Sequence, residues 1–144
     1  MSQANVEVVR RLTAAFNQRD DDRYLALCSQ DIQLEGPWTA FEGLYEGAQA
    51  IRRFLTGVRD IVPDSYFTIE RLDEIGADQV LAFLRAHATG RVSGMPIGPE
   101  SLGPARSDAG IPMTIVYDLS DGKIRRAREF MDRNEALEAA GLRE

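Results

Sequence analysis

Residues 119–142 read LSDGKIRRAREFMDRNEALEAAGL, and this stretch holds three local devices in close succession. Asp121-Gly122 is a two-residue hairpin turn, because both residues tolerate positive φ at low cost. It predicts a strand ending at Leu119 and its partner over Ile124–Met131. Asp132 is placed as an N-cap with Glu135 three residues on, a capping-box variant that opens a short helix to Ala140. Gly141 is its stop.

Working outward, Pro112–Leu119 is the near arm of the hairpin. Two more strands precede it, Tyr66–Leu72 and Gln79–Thr89, divided by a turn at Gly76-Ala77-Asp78. The parity of the second is open: Leu81-Phe83-Arg85-His87 and Val80-Ala82-Leu84-Ala86-Ala88 are each suited to burial. A sheet covered on both faces would show this pattern. Between this strand and the hairpin lies Gly90–Pro112, with four of the six prolines and five of the twelve glycines. Hairpin loops usually run to about 2–5 residues, so the stretch reads as a surface excursion, a lid or a dimer arm.

The first third is helical. Val6, Val9, Thr13 and Phe16 recur at helical spacing, with Leu12 widening the stripe. Asn17–Asp22 breaks the pattern and caps a short second helix carrying Tyr24, Leu25, Leu27 and Cys28. Asp31–Glu35 alternates as a strand and Gly36-Pro37 stops it. Ala48, Ile51, Phe54, Leu55 and Val58 then mark a third helix over Gly47–Val58, and Pro63-Asp64 ends the helical part.

With 144 residues, 44% of them apolar, the chain suits one domain over 1–144 with a single core. The net charge of -6 argues against nucleic acid or anionic membrane as a partner. No run approaches the roughly 20 apolar residues of a membrane span, and MSQANVEVVRRL has no signal-peptide character. The single cysteine, Cys28, excludes an internal disulfide, and the expected location is cytoplasmic. One histidine without clustered cysteines predicts no metal site. No glycine-rich loop leads into a helix to cradle phosphate, and no cofactor is expected.

Three phrases, AAFNQRDDDRYLALCSQDIQLEGP (14–37), LYEGAQAIRRFL (44–55) and the quoted 119–142, resemble the SnoaL-like branch of the nuclear transport factor 2-like superfamily. The resemblance implies an α+β cone: a strongly curved, mixed but mainly antiparallel sheet on three N-terminal helices, with a short C-terminal helix. It also implies a pocket at the open end and a homodimer, commonly through the sheet. It leaves the chemistry open, since the fold hosts isomerases, cyclases, dehydratases, epoxide hydrolases and inactive proteins. The resemblance argues against ketosteroid isomerase chemistry, because Leu12 and Gly36 stand where that branch carries its tyrosine and its basic aspartate.

Limonene-type epoxide hydrolases match in part: Arg85 falls on their arginine, His87 on one aspartate and Glu129 on the other. Arg85 and His87, two apart, share one strand face, and Glu129 can meet them from the neighbouring strand. His87 is the only side chain with an unperturbed pKa near neutrality, and Arg85 would set the ionisation of Glu129. The bland alternatives are a polar interface residue for His87 and a cross-strand ion pair for Glu129. Trp38, Phe54, Phe83 and Tyr117 are the candidates for contact with a ligand. Two functions follow: a pocketed domain that binds a small apolar molecule, or a cofactor-independent acid/base enzyme using Arg85, His87 and Glu129.

Overall fold

The Asp121-Gly122 turn forms with both residues left-handed, at φ 54° and 77°. Around it the computed structural model describes residues 2–36, 44–61, 63–87 and 110–142. In chain order the elements are α1 (Ser2–Asn17), α2 (Asp21–Ala26), β1 (Cys28–Glu35), β2 (Tyr45–Glu46) and α3 (Ala48–Ile61). There follow β3 (Tyr66–Ile75), β4 (Gln79–His87), β5 (Ile111–Ser120), β6 (Lys123–Phe130) and α4 (Arg133–Ala139). The strands make one six-stranded sheet in the order β2-β1-β6-β5-β4-β3. Every neighbouring pair is antiparallel except β1 with β6, which run parallel. The result is the curved, mixed α+β sheet with helices that the sequence predicted.

Strand alternation divides the side chains between two faces. Val80, Ala82 and Leu84 of β4 and Met113, Ile115, Tyr117 and Leu119 of β5 point inward, against Val9, Leu12 and Phe16 of α1 and Ile51 and Leu55 of α3. Leu81, Phe83 and Val116 point outward, where α4 lays the fully buried Ala136 on them. Each face therefore buries apolar surface, which is why both parities of β4 look like core in the sequence.

Long-range polar bonds fix the helices on this frame. The Asn17 side chain grips the backbone of Phe67, donating from Nδ2 to its carbonyl at 2.8 Å and accepting its N–H on Oδ1 at 2.9 Å. Edge strand β3 is thereby held to the end of α1. Arg59 of α3 forms a largely buried ion pair with Asp21 at the start of α2. Arg52 reaches Asp22 at 2.9 Å, an exposed pair of small worth.

Several boundaries differ from the sequence reading, and α3 runs to Ile61 rather than Val58. Cys28 opens β1 rather than closing the second helix, because β1 pairs with β6 from Cys28 opposite Ile124 onward. The two-residue β2 was not foreseen, being too short to show periodicity. Strand β3 runs to Ile75 instead of Leu72, held by pairing through Ile75 with Gln79. Most of Gly90–Pro112 lies outside the described residues.

The N-cap half of the reading forms: Asp132 accepts the N–H groups of Asn134 and Glu135, and Gly141 takes φ 76°. Asp132→Ala is expected to cost about 1 kcal/mol, the usual worth of an N-cap. Thermal unfolding should then show a melting temperature lower by about 3 °C. An unchanged value would mean that α4 is held by the packing of Ala136 alone.

Candidate functional site

Strand β6 builds the site by alternation. Arg128 and Phe130 turn outward: Arg128 reaches Asp118 at 3.6 Å, and Asp118 also accepts Gln79 Nε2 at 2.7 Å. Glu129 between them points inward, paired across the sheet with the core residue Ile115. Its Oε1 is sealed from solvent and has no hydrogen-bond partner among the described residues. A buried polar atom left in this state is uncommon, because its lost hydration is not replaced.

Two tyrosines lie within electrostatic reach of this carboxyl on the inner face, and Cys28 lies within reach of both tyrosines. Tyr24 comes from α2, Cys28 from the first position of β1, and Tyr117 from β5. The Cys28 thiol donates to the Tyr24 carbonyl at 3.3 Å. Burial pushes the Glu129 carboxyl up to about 8. Burial also raises the Tyr117 phenol, with Glu129 and Cys28 adding to the effect. Tyr24 is raised well above its ordinary value by burial, and further by Tyr117, Cys28 and Glu129. The Cys28 thiol rises to about 12 through burial, against a small opposing pull from Lys123. At neutral pH all four groups are therefore protonated and uncharged. Phe54 of α3 packs on the same inner cluster, its ring 5.2 Å from that of Tyr45.

The remaining predicted residues lie elsewhere. Arg85 and His87 have the parity of Leu81 and Phe83 and stand on the outer face, so the sheet separates them from Glu129 and Tyr117. The expected grouping of Arg85, His87 and Glu129 around one pocket is corrected accordingly. Arg85 Nε binds Glu70 at 2.7 Å rather than setting the ionisation of Glu129. His87 is buried, with Nε2 2.9 Å from Thr68 Oγ1 and its ring stacked on Tyr66 at 4.7 Å. Phe83 lies under α4, with the Arg133 guanidinium 4.6 Å above its ring, and so does not share the inner site with Tyr117 and Phe54. Trp38 falls outside the described residues.

A family model described as a SnoaL-like domain matches residues 9–127. The chain belongs to the SnoaL-like family. Solved structures share the fold of this SnoaL-like domain at low identity. Bal32a, from a soil-derived mobile gene cassette, superposes with a TM-score of 0.71 at 19% identity, covering 90% of this chain and 89% of that one. TerC, co-crystallised with polyporic acid, gives 0.68 at 20% identity, over 96% and 98% of the two chains. A Catenulispora acidiphila DSM 44928 protein with a ketosteroid isomerase-like fold, in complex with trimethylamine, gives 0.68 at 16%, over 94% and 93%. No curated protein matches the chain.

Among the described residues of this SnoaL-like domain, no three His, Cys, Asp or Glu side chains stand together to hold a metal ion. Nor is any described helix long and apolar enough to cross a membrane. The sequence reading missed Tyr24 as a neighbour of Glu129 and Cys28 as a neighbour of both tyrosines. Their spacing of four was the available signal, and it does join them, through the bond from the Cys28 thiol to the Tyr24 carbonyl.

Proposed function

We propose that this SnoaL-like domain binds a small, mainly apolar molecule on the inner face of the sheet, with Glu129 as its polar anchor. One observation carries the reading: the sealed, unpartnered Oε1 of Glu129 among apolar side chains and two tyrosines. An unmade hydrogen bond at such an atom costs about 1–3 kcal/mol, and a bound molecule with one complementary group recovers it. The surrounding apolar and aromatic surface suits the rest of such a molecule. That TerC was crystallised with polyporic acid, and the Catenulispora protein with trimethylamine, supports a fold suited to small organic molecules.

Acid/base catalysis is a second reading, favoured by a carboxyl held at about 8, near the operating pH of a general acid or base. In it Glu129 moves the proton and Tyr117 lies beside it, while Arg85 and His87 take no part.

Titration with acetophenone, a small neutral aromatic ketone, followed by NMR tests the site. Shifts are expected at Tyr24, Ile115, Tyr117 and Ala127, with Phe83, Arg85 and His87 unmoved. Changes confined to Phe83, Arg85 and His87 would overturn the inner-face assignment.

A further inference from the structure

Among the described residues, the titratable groups gathered with Glu129 on the inner face are of one chemical kind. Tyr24 on α2, Cys28 on β1 and Tyr117 on β5 are all acids, and each is close enough for charge on one to be felt by another. Among the described residues, the cation felt by this cluster is Lys123, exposed at the start of β6 and acting on Cys28. The nearer arginines of β6 are engaged elsewhere, Arg126 with Glu35 at 3.2 Å and Arg128 with Asp118 at 3.6 Å. An anionic ligand would therefore enter a cluster of acids beside which Arg126 and Arg128 are already paired with carboxylates. Among the described residues no donor is aimed at the sealed Oε1, and Lys123 is the cation that the cluster feels.

We propose that the inner site takes an organic ammonium, a small apolar molecule carrying one protonated amine whose N–H bonds to Oε1 of Glu129. The proposal rests on the reading of the inner face as a ligand site and names the class of ligand. An ammonium supplies a donor and a positive charge in one group. The ring faces of Tyr24 and Tyr117 suit a cation as well, through their negative quadrupoles. Buried charges persist in proteins when they are paired, and the ammonium pairs this one.

Protons balance in a way that can be measured. An alkylamine, with a pKa of about 10 like that of lysine, arrives already protonated at neutral pH. The Glu129 carboxyl, which holds its proton up to about pH 8, must release it to solvent to form the ammonium–carboxylate pair. One proton is thus expelled for each molecule bound. Linkage then makes amine affinity climb by up to about tenfold per pH unit below about 8 and level off above it. A neutral ketone accepting from the carboxylic acid shows the opposite dependence, flat below that pH and falling above it.

Isothermal titration of the whole chain with benzyldimethylamine, acetophenone and benzoate, in buffers of different ionisation enthalpy, tests this. Benzyldimethylamine is expected to bind at least about tenfold more tightly than acetophenone near pH 7.5, equal to about 1.4 kcal/mol. It should release close to one proton at about pH 6.5 and gain affinity up to about pH 8. Benzoate should not bind. Glu129→Gln should weaken the amine by at least about tenfold and abolish the proton release. Acetophenone binding tighter than the amine, or amine affinity independent of pH, would overturn the ammonium assignment and leave the inner-face site standing. If neither compound binds and neither shifts the inner-face resonances, both readings fail.

Discussion

Glu129→Gln is expected to raise the melting temperature by about 10 °C near pH 9 and to leave it almost unchanged near pH 4. Burial pushes the folded carboxyl from its ordinary 4.5 up to about 8. Below about pH 4.5 the folded and unfolded chains both hold the proton, and the carboxyl has no effect on the balance between them. Between about 4.5 and 8 the folded chain keeps a proton that the unfolded chain has released, so stability falls as pH rises. Each pH unit withdraws about 1.4 kcal/mol, and the total is on the order of 5 kcal/mol before it saturates above about 8. Glutamine keeps the shape of the side chain and has no proton to lose, so the variant should not decline across this window. Thermal unfolding of both proteins at several pH values is the measurement. Parallel curves would show that the carboxyl is hydrated and that nothing is stored at this position. A gain on removing an ionisable group is what a site retained for use rather than for stability would give.

Gly110→Ala should destabilise the protein by about 3 kcal/mol. Gly110 leads into β5 at φ 72°, a left-handed conformation that glycine adopts freely and alanine resists. A Cβ there would lie 2.8 Å from His87 Cε1 and 2.9 Å from the Ala86 carbonyl oxygen. The imidazole has little room to retreat, since it is stacked on Tyr66 and hydrogen-bonded to Thr68. Urea unfolding should show a midpoint lower by about 1–2 M. Adding His87→Ala should restore only part of the loss, because the Ala86 carbonyl and the backbone conformation remain. A Gly110→Ala protein as stable as the parent would refute the close packing of this residue on the end of β4. The pair also gives His87 a structural task on the outer face, distinct from any part in the inner site.

Local chemistry made most of the fold legible. The Asp121-Gly122 turn, the Asp132 cap and the Gly141 stop form where they were read, because each depends on its own few residues. Cys28 was misplaced because its strand character comes from pairing with Ile124, a partner remote in sequence. For the site, Glu129 and Tyr117 were legible as candidates, and both lie on the inner face. Arg85, His87 and Phe83 were assigned to the same pocket because β4 is apolar on both parities. Only the docking of α4 on Leu81 and Phe83 distinguishes its two faces, and that is a tertiary fact. Tyr24 and Cys28 were read as packing residues, because a tyrosine and a thiol on an apolar helix usually just pack.

The place of β6 in the sheet bears on how the protein is made. It lies between β1 and β5, joining a β2-β1 pair to a β5-β4-β3 meander that do not otherwise touch within the sheet. As the nascent chain emerges from the ribosome, β6 follows every other strand. Until it arrives, β1 and β5 each present an open edge, the kind of surface that recruits chaperones or stray strands. The eight residues that close this gap also deliver Glu129. Translation therefore completes the sheet and arms the site in a single late step.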